Sequence, residues 1–139
     1  MSPKIKHLFL SIISGIALGL SWPVDGLTVL IFTSLIPLLY LEDSIRNDDS
    51  NNKGIRIFGY SYLSFLIWNI ITTWWLYNST LFGMLFANLC NSLFYALIFI
   101  LFYWVKSRLP FRSAYIFFIS IWIAFEKLHL IWDFSWSWL

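Results

Sequence analysis

Long apolar runs separated by short polar stretches divide this chain into five predicted helices. The runs lie at 8–20, 27–41, 57–77, 81–105 and 114–128. About 20 mainly apolar residues are needed for a helix to cross a bilayer. The first two runs are shorter, so they must borrow residues at their ends or lie partly within protein. The pattern predicts an all-α integral membrane fold with about five transmembrane helices.

Two polar stretches, 42–56 and 106–113, are predicted to be solvated loops on one side of the membrane. Basic residues favour the cytoplasmic side. With a cytoplasmic amino terminus, eight of the nine Lys and Arg residues lie inside and Lys127 lies outside. The eight are Lys4, Lys6, Arg46, Lys53, Arg56, Lys106, Arg108 and Arg112. This count predicts that the carboxyl end of the chain faces outward.

The first run admits two interpretations, because basic residues before an apolar segment fit either a membrane helix or a secretory signal peptide. The turn-forming sequence Ser21-Trp22-Pro23 is a poor mature terminus, and further apolar runs follow at once. A retained helix is therefore favoured. Its Ser11, Gly15 and Gly19 recur every four residues, which predicts a face that another helix can approach closely. Pro37 is predicted to kink the second helix near its end.

Polar residues form a stripe on each of the third and fourth predicted helices. Helical spacing places Asn69, Thr72 and Thr73 on one face of the third. On the fourth, the stripe consists of Asn88, Asn91, Ser92 and Tyr95. Polar groups in hydrocarbon need partners, so both stripes should face protein. Hydrogen bonding between helices is the favoured interpretation, ahead of a substrate groove.

Composition removes several classes of function. The chain has 139 residues, of which 60% are hydrophobic and only 12% charged, and its mean hydropathy is +0.75. Its net charge of +2 is spread over short loops, so nucleic-acid binding is not expected. The single cysteine, Cys90, lies in an apolar run, which predicts a buried thiol and neither a disulfide nor a metal site. No cofactor is predicted.

A cluster of polar and aromatic residues follows the last apolar run. Glu126, His129 and Asp133 lie among four tryptophans, Trp122, Trp132, Trp136 and Trp138. Indoles favour headgroup level, so this segment is predicted to lie at the outer membrane surface. For any one of these residues, a solvated helix end or an interfacial anchor is the more common explanation. The arrangement as a whole favours a functional role.

The landmarks of the chain, in order, resemble the amino-terminal membrane part of bacterial apolipoprotein N-acyltransferases. The first hairpin carries Leu20-Ser21-Trp22-Pro23 and Ile36-Pro37-Leu38-Leu39, and the middle helices join through Trp74 to Gly83. The most specific likeness is a final segment with Trp122, Phe125, Glu126, Leu128, Trp138 and Leu139 at matching spacing. This chain departs from the family at His129, where arginine is common, and at Ser135, Trp136 and Ser137, which replace Gly-Phe and proline.

The resemblance implies transfer of an acyl chain from a membrane phospholipid to a lipoprotein, in the bacterial inner membrane. It also implies that the nitrilase-like domain with a Glu-Lys-Cys triad lies outside this chain. We expect a fragment or split gene product that is inactive alone, with a separate or missing catalytic domain as partner. Candidate residues facing substrate or lipid are Trp74, Glu126, His129 and Trp138; no catalytic residue and no metal ligand is predicted. The alternative is a non-catalytic membrane protein that binds lipid or a partner helix.

Overall fold

The computed structural model describes residues 2–22, 26–49, 51–78 and 80–131, and within these ranges it contains helices and turns and no strands. The α-helices are α1 Pro3–Leu20, α2 Ile36–Arg46, α3 Lys53–Thr73, α4 Leu81–Lys106 and α5 Phe111–Ile131. Two 3₁₀ segments, Thr28–Phe32 and Trp74–Asn78, precede α2 and follow α3. With these segments included, five stretches are long and apolar enough to cross a membrane. The all-α membrane fold is thereby confirmed.

The polar loop between the second and third spans is shorter than the predicted 42–56. Helix α2 continues to Arg46 because Glu42 and Arg46 lie one turn apart and pair, with 2.8 Å between Arg46 Nε and Glu42 Oε1. The Lys53 ammonium donates to the Arg46 carbonyl at 3.0 Å and closes the helix end. Asn52 takes a left-handed conformation (φ 62°) immediately before α3 begins. The charged residues at both ends therefore extend the helices.

The second span is interrupted near its middle, whereas the sequence predicted a kink near its end. Pro37 lies in the first turn of α2 and has no N–H to donate to Thr33. The Thr33 carbonyl accepts from Ile36 N instead, at 3.0 Å. The residues before the proline form a 3₁₀ segment and a turn, so α2 itself has only 11 residues.

The described chain divides into two compact units, of which the first ends at Ala96 and the second begins at Leu97. In the first unit α1 packs closely against α3. Ser11 Oγ donates to the Tyr60 carbonyl at 2.6 Å, and a Cβ added at Gly19 would lie 2.8 Å from Ile71. A Cβ at Gly15 would overlap the Ser64 carbonyl oxygen. The predicted close approach along Ser11, Gly15 and Gly19 is confirmed.

In the second unit the last turns of α4 pack on the first half of α5 through aromatic rings. Phe102 lies 4.6 Å from Phe118 and 5.3 Å from Tyr115, measured between ring centroids. The Lys106 ammonium lies over both the Phe102 and Tyr115 rings, at 5.5 Å and 5.4 Å from their centroids. Edge-on and tilted ring pairs of this kind hold the two helices together in place of a small-residue contact.

Candidate functional site

The polar side chains of α3 and α4 meet in a buried line within the first unit. Thr73 Oγ1 donates to Asn88 Oδ1 at 3.0 Å, and Asn69 Nδ2 donates to Ser92 Oγ at 3.4 Å. All four side chains are buried. We call these four residues the polar seam. The prediction that the two stripes face each other and bond between helices is confirmed.

The seam residues also bond within their own helices. Asn69 Nδ2 donates to the Phe65 carbonyl at 2.8 Å, and Asn88 Nδ2 donates to the Met84 carbonyl at 2.8 Å. Ser92 Oγ donates to the Asn88 carbonyl at 2.6 Å. Because donors are satisfied inside the protein, the seam holds two helices together and offers no open groove for a substrate.

A second polar cluster, which sequence reasoning missed, joins the start of α1 to the end of α2 and the start of α3. His7 is 2% exposed; its Nε2 lies 3.0 Å from Ser44 Oγ, and its ring lies edge-on to Tyr60 at 5.8 Å. Glu42 is fully buried and paired with Arg46. Helical spacing gave a signal for His7, because it lies one turn before Ser11 on the face that packs against α3.

The candidate Trp74 is the first residue of the 3₁₀ segment that follows α3, and its side chain is 65% exposed. Its neighbours Trp75 and Tyr77 are also more than half exposed. The segment therefore presents aromatic side chains at the end of a membrane span. Such side chains favour the boundary between lipid and water.

The candidates Glu126 and His129 lie in the second unit, inside α5. The predicted helix 114–128 placed Glu126 in its last turn and His129 just past its end, whereas α5 continues to Ile131. Three residues apart on a helix, they share a face. His129 is 1% exposed and its ring lies 5.3 Å from that of Phe125, while Glu126 is partly exposed. The candidate Trp138 lies outside the described residues, and so does Asp133.

Cys90 lines a shallow apolar groove of about 290 Å³ in the first unit. The other lining residues are Phe58, Tyr62, Leu89 and Leu93. None of these carries an imidazole, amine or carboxylate that could take the thiol proton. A nucleophilic cysteine needs such a base or a cationic neighbour, so this setting does not activate Cys90.

No group of three or more His, Cys, Asp or Glu side chains is placed to hold a metal ion in the part of the chain that the structure describes. The contacts that the structure gives these residues are packing contacts and hydrogen bonds. The polar seam and the cluster at His7 stabilise the first unit. The half-buried Glu126 and the buried His129 share one face of α5.

Comparison with known proteins gives two agreeing results and one without a match. The sequence profile of the apolipoprotein N-acyltransferase N-terminal domain matches residues 14–139. The apolipoprotein N-acyltransferase of Chlorobaculum tepidum is 33% identical over 137 residues, an alignment that covers 96% of this chain and 25% of that protein. No solved structure gives a significant match. Since the profile covers nearly the whole chain and the relative agrees with it, this chain belongs to the apolipoprotein N-acyltransferase N-terminal domain family.

Proposed function

We propose that this chain is the membrane-embedded amino-terminal part of an apolipoprotein N-acyltransferase. Its helices form the path along which lipid substrates reach the site of acyl transfer. The observation that carries the proposal is the family match over residues 14–139, together with 33% identity to a protein of that name. Five helices able to cross a membrane support a role inside the bilayer. The chain spans a quarter of the length of that relative.

The proposed orientation has the amino terminus in the cytoplasm and the carboxyl end of α5 outside, in a bacterial inner membrane. Basic residues at the start of α1, the end of α2 and the start of α3 share one end of the first unit, where Lys6 Nζ bonds Tyr40 at 3.1 Å. Arg46 and Arg56 pair with Glu42 and Asp48 at that end. Such an accumulation of cations supports a cytoplasmic location.

The proposed reaction moves an acyl group from a phospholipid ester to the amino group of a lipoprotein. A cysteine thiolate attacks the ester and releases a lysophospholipid, and the amine then attacks the thioester and frees the thiolate. The described residues offer Cys90 without an activating group in its groove, which supports assigning the nucleophile to another part of the full protein. This chain then supplies the membrane walls along which both lipids approach.

We further propose that Trp74, Glu126, His129 and Trp138 face lipid or substrate at the outer surface. The exposure of Trp74 supports contact with lipid. Glu126 and His129 share one face of α5, and His129 stands where an arginine is common in the family. A carboxylate inside a membrane helix points to a functional position more often than one in a loop.

A chimera tests the proposal. The matching amino-terminal part of the Chlorobaculum tepidum protein is replaced by this chain, and mass spectrometry follows the addition of one acyl chain to a diacylated lipoprotein in membranes. We expect acylation by the chimera at a rate within about tenfold of that of the intact relative, an allowance of about 1.4 kcal/mol in the barrier for imperfect joining. The relative's remaining part expressed alone should give no acylation.

A matched control is the same chimera with Gly15→Leu, which should lose activity through failed packing of α1 on α3. Glu126→Gln and His129→Arg in the chimera then test the two proposed surface residues separately. A chimera that inserts in the membrane and folds, yet acylates nothing while the intact relative is active, would contradict the proposed function.

A further inference from the structure

The two halves of the second membrane span are held very differently. In α2 the side chains of Leu38, Leu41 and Ile45 are fully buried, and Ser44 bonds His7 of α1. The 3₁₀ segment Thr28–Phe32 has no buried residue. Its most outward side chains, Val29 and Phe32, are 76% and 84% exposed. One half of the span is therefore packed and the other is not.

Hydrogen bonds at both ends of the segment 27–34, here called the ties, join it to α1. Leu27 N donates to the Leu20 carbonyl at 3.2 Å, where α1 ends. Ser14 Oγ, fully buried at mid-helix, donates to the Ser34 carbonyl at 2.6 Å. The segment between these ties therefore runs along the last two turns of α1, at membrane depth.

The point between the halves is suited to bending. Leu35, the residue before α2, makes no side-chain capping bond, and Pro37 follows in the first turn without an N–H to continue the ladder. Ser34 Oγ and Thr33 Oγ1 bond the carbonyls of Ile31 and Leu30, at 3.0 Å and 3.3 Å. The Leu30 carbonyl also accepts from the backbone N–H groups of Thr33 and Ser34, so the backbone before the break keeps its bonds locally.

We propose that residues 27–34, here called the strap, form a hinged element that lifts from α1 within the membrane while α2 stays docked. Elements with few buried contacts open at lower free energy than the packed core. Lifting breaks the ties at Ser14 and Leu20 and uncovers one buried side chain of the strap, the small Ser34. The bend lies between Ser34 and Ile36. The inference concerns motion in the first unit and goes beyond the proposed function.

Spin-label spectroscopy on the full 139-residue chain in phospholipid nanodiscs tests the strap. In a Cys90→Ala background, a nitroxide is attached at Val29→Cys in the strap or at Ile36→Cys in α2; both parent side chains are more than half exposed. We expect a clearly more mobile spectrum at position 29 than at position 36. Equal mobility at the two positions would overturn the proposal, without need of any further variant.

Two serine variants then test the ties. Ser14→Ala removes the bond to the strap, whereas Ser11→Ala removes a bond of the same length from α1 to α3. We expect Ser14→Ala to raise mobility at position 29 and leave position 36 unchanged, and Ser11→Ala to change neither. If Ser14→Ala raised mobility at both positions, the second span would move as one body. The strap would then not be a separate hinged element. Circular dichroism verifies that each variant is folded.

Discussion

At Gly15, the contact between α1 and α3 leaves no room for a side chain. An added Cβ would overlap the Ser64 carbonyl oxygen and lie 2.9 Å from Ile67 Cβ. The obstacle includes backbone, which cannot rotate away. We expect Gly15→Ala to destabilise the folded chain by about 1–3 kcal/mol, the usual range for overpacking. Unfolding in mixed micelles, followed by circular dichroism, measures the change.

Gly59 is the matched control for that substitution. It lies inside α3, and an added Cβ there would meet nothing within 4 Å. Alanine favours a helix over glycine by about 0.5–1 kcal/mol, so Gly59→Ala should be neutral or stabilising. Equal destabilisation by both substitutions would mean that α1 and α3 do not pack as described.

Two ion pairs at the same end of the first unit differ in burial. This difference sets how much stability is lost when one partner of each pair is removed. The Glu42 carboxylate is fully buried beneath Arg46, whereas the side chains of Arg56 and Asp48 are 25% and 38% exposed. We expect Arg46→Ala to destabilise by about 1.5–3 kcal/mol, the range for hydrogen bonds to charged groups. Asp48→Ala should change stability by at most about 1 kcal/mol. The same unfolding assay compares them, and the reverse order of effects would contradict the described burial.

For whole helices, the spacing of polar and apolar residues predicted which helix faces meet. It failed at helix ends, whose positions are set by individual side-chain bonds. The number of spans and the small-residue face of α1 followed from spacing alone, and so did the meeting of the polar stripes. The ends of α2 and α3 did not follow, because Glu42 reads as a loop residue until Arg46 is known to pair with it and Lys53 is known to bond the Arg46 carbonyl. The position of the break at Pro37 was also wrong. The span continues beyond its apolar run, so the proline lies near the middle of the span and not near its end.

The candidate site was predicted less well from the sequence than the fold was. Glu126 and His129 were placed at a helix end because polar residues terminate the apolar run, yet α5 continues through them to Ile131. A helix tolerates a polar turn when its backbone bonds persist, and hydropathy does not report backbone bonds. His7 was missed because a lone histidine near basic residues resembles a solvated terminus.

The polar seam should contribute modestly to the stability of the α3–α4 hairpin. Thr73 and Asn88 bond each other and also bond carbonyls of their own helices. A double-mutant cycle with Thr73→Val and Asn88→Ala should give a coupling of about 0.6 kcal/mol, the average for such pairs in membranes. Thr72→Val with Asn88→Ala is the control, since Thr72 Oγ1 bonds the Trp68 and Asn69 carbonyls of α3. A coupling of the same size in the control would mean that Thr73 and Asn88 do not bond each other across the seam.

At the scale of the whole molecule, the distribution of basic residues predicts the topology. Reporter fusions after Ser50 and after Arg108 should read cytoplasmic, and fusions after Ser79 and after Leu139 should read periplasmic, because Lys and Arg are retained inside. Alkaline phosphatase activity measures the outer sites and a fluorescent protein the inner ones. Inverted results at two or more sites would remove the basis for placing Glu126 at the outer surface.

The chemistry of acyl transfer leads to a prediction for the isolated chain. A thioester mechanism needs a thiolate, a base that generates it and donors for the developing oxyanion. The residues that line the groove with Cys90 supply hydrocarbon and one phenol, and none of them carries an imidazole, amine or carboxylate. We therefore expect the purified 139-residue chain, given phospholipid and a diacylated lipoprotein peptide, to form no acyl-enzyme and to transfer no acyl group.

Intact-mass spectrometry detects an acyl-enzyme as a stable added mass on the chain, and chromatography of the peptide detects transfer. The control is the same assay with the Chlorobaculum tepidum apolipoprotein N-acyltransferase in place of the chain. Cys90→Ala shows whether Cys90 carries any acyl group that is detected, since an acyl mass that disappears with this substitution must have been carried by the Cys90 thiol. Turnover by the isolated chain that Cys90→Ala abolishes would show that a half-buried thiol in a membrane helix can act without a base among its groove neighbours. Such a result would move the catalytic centre into this domain.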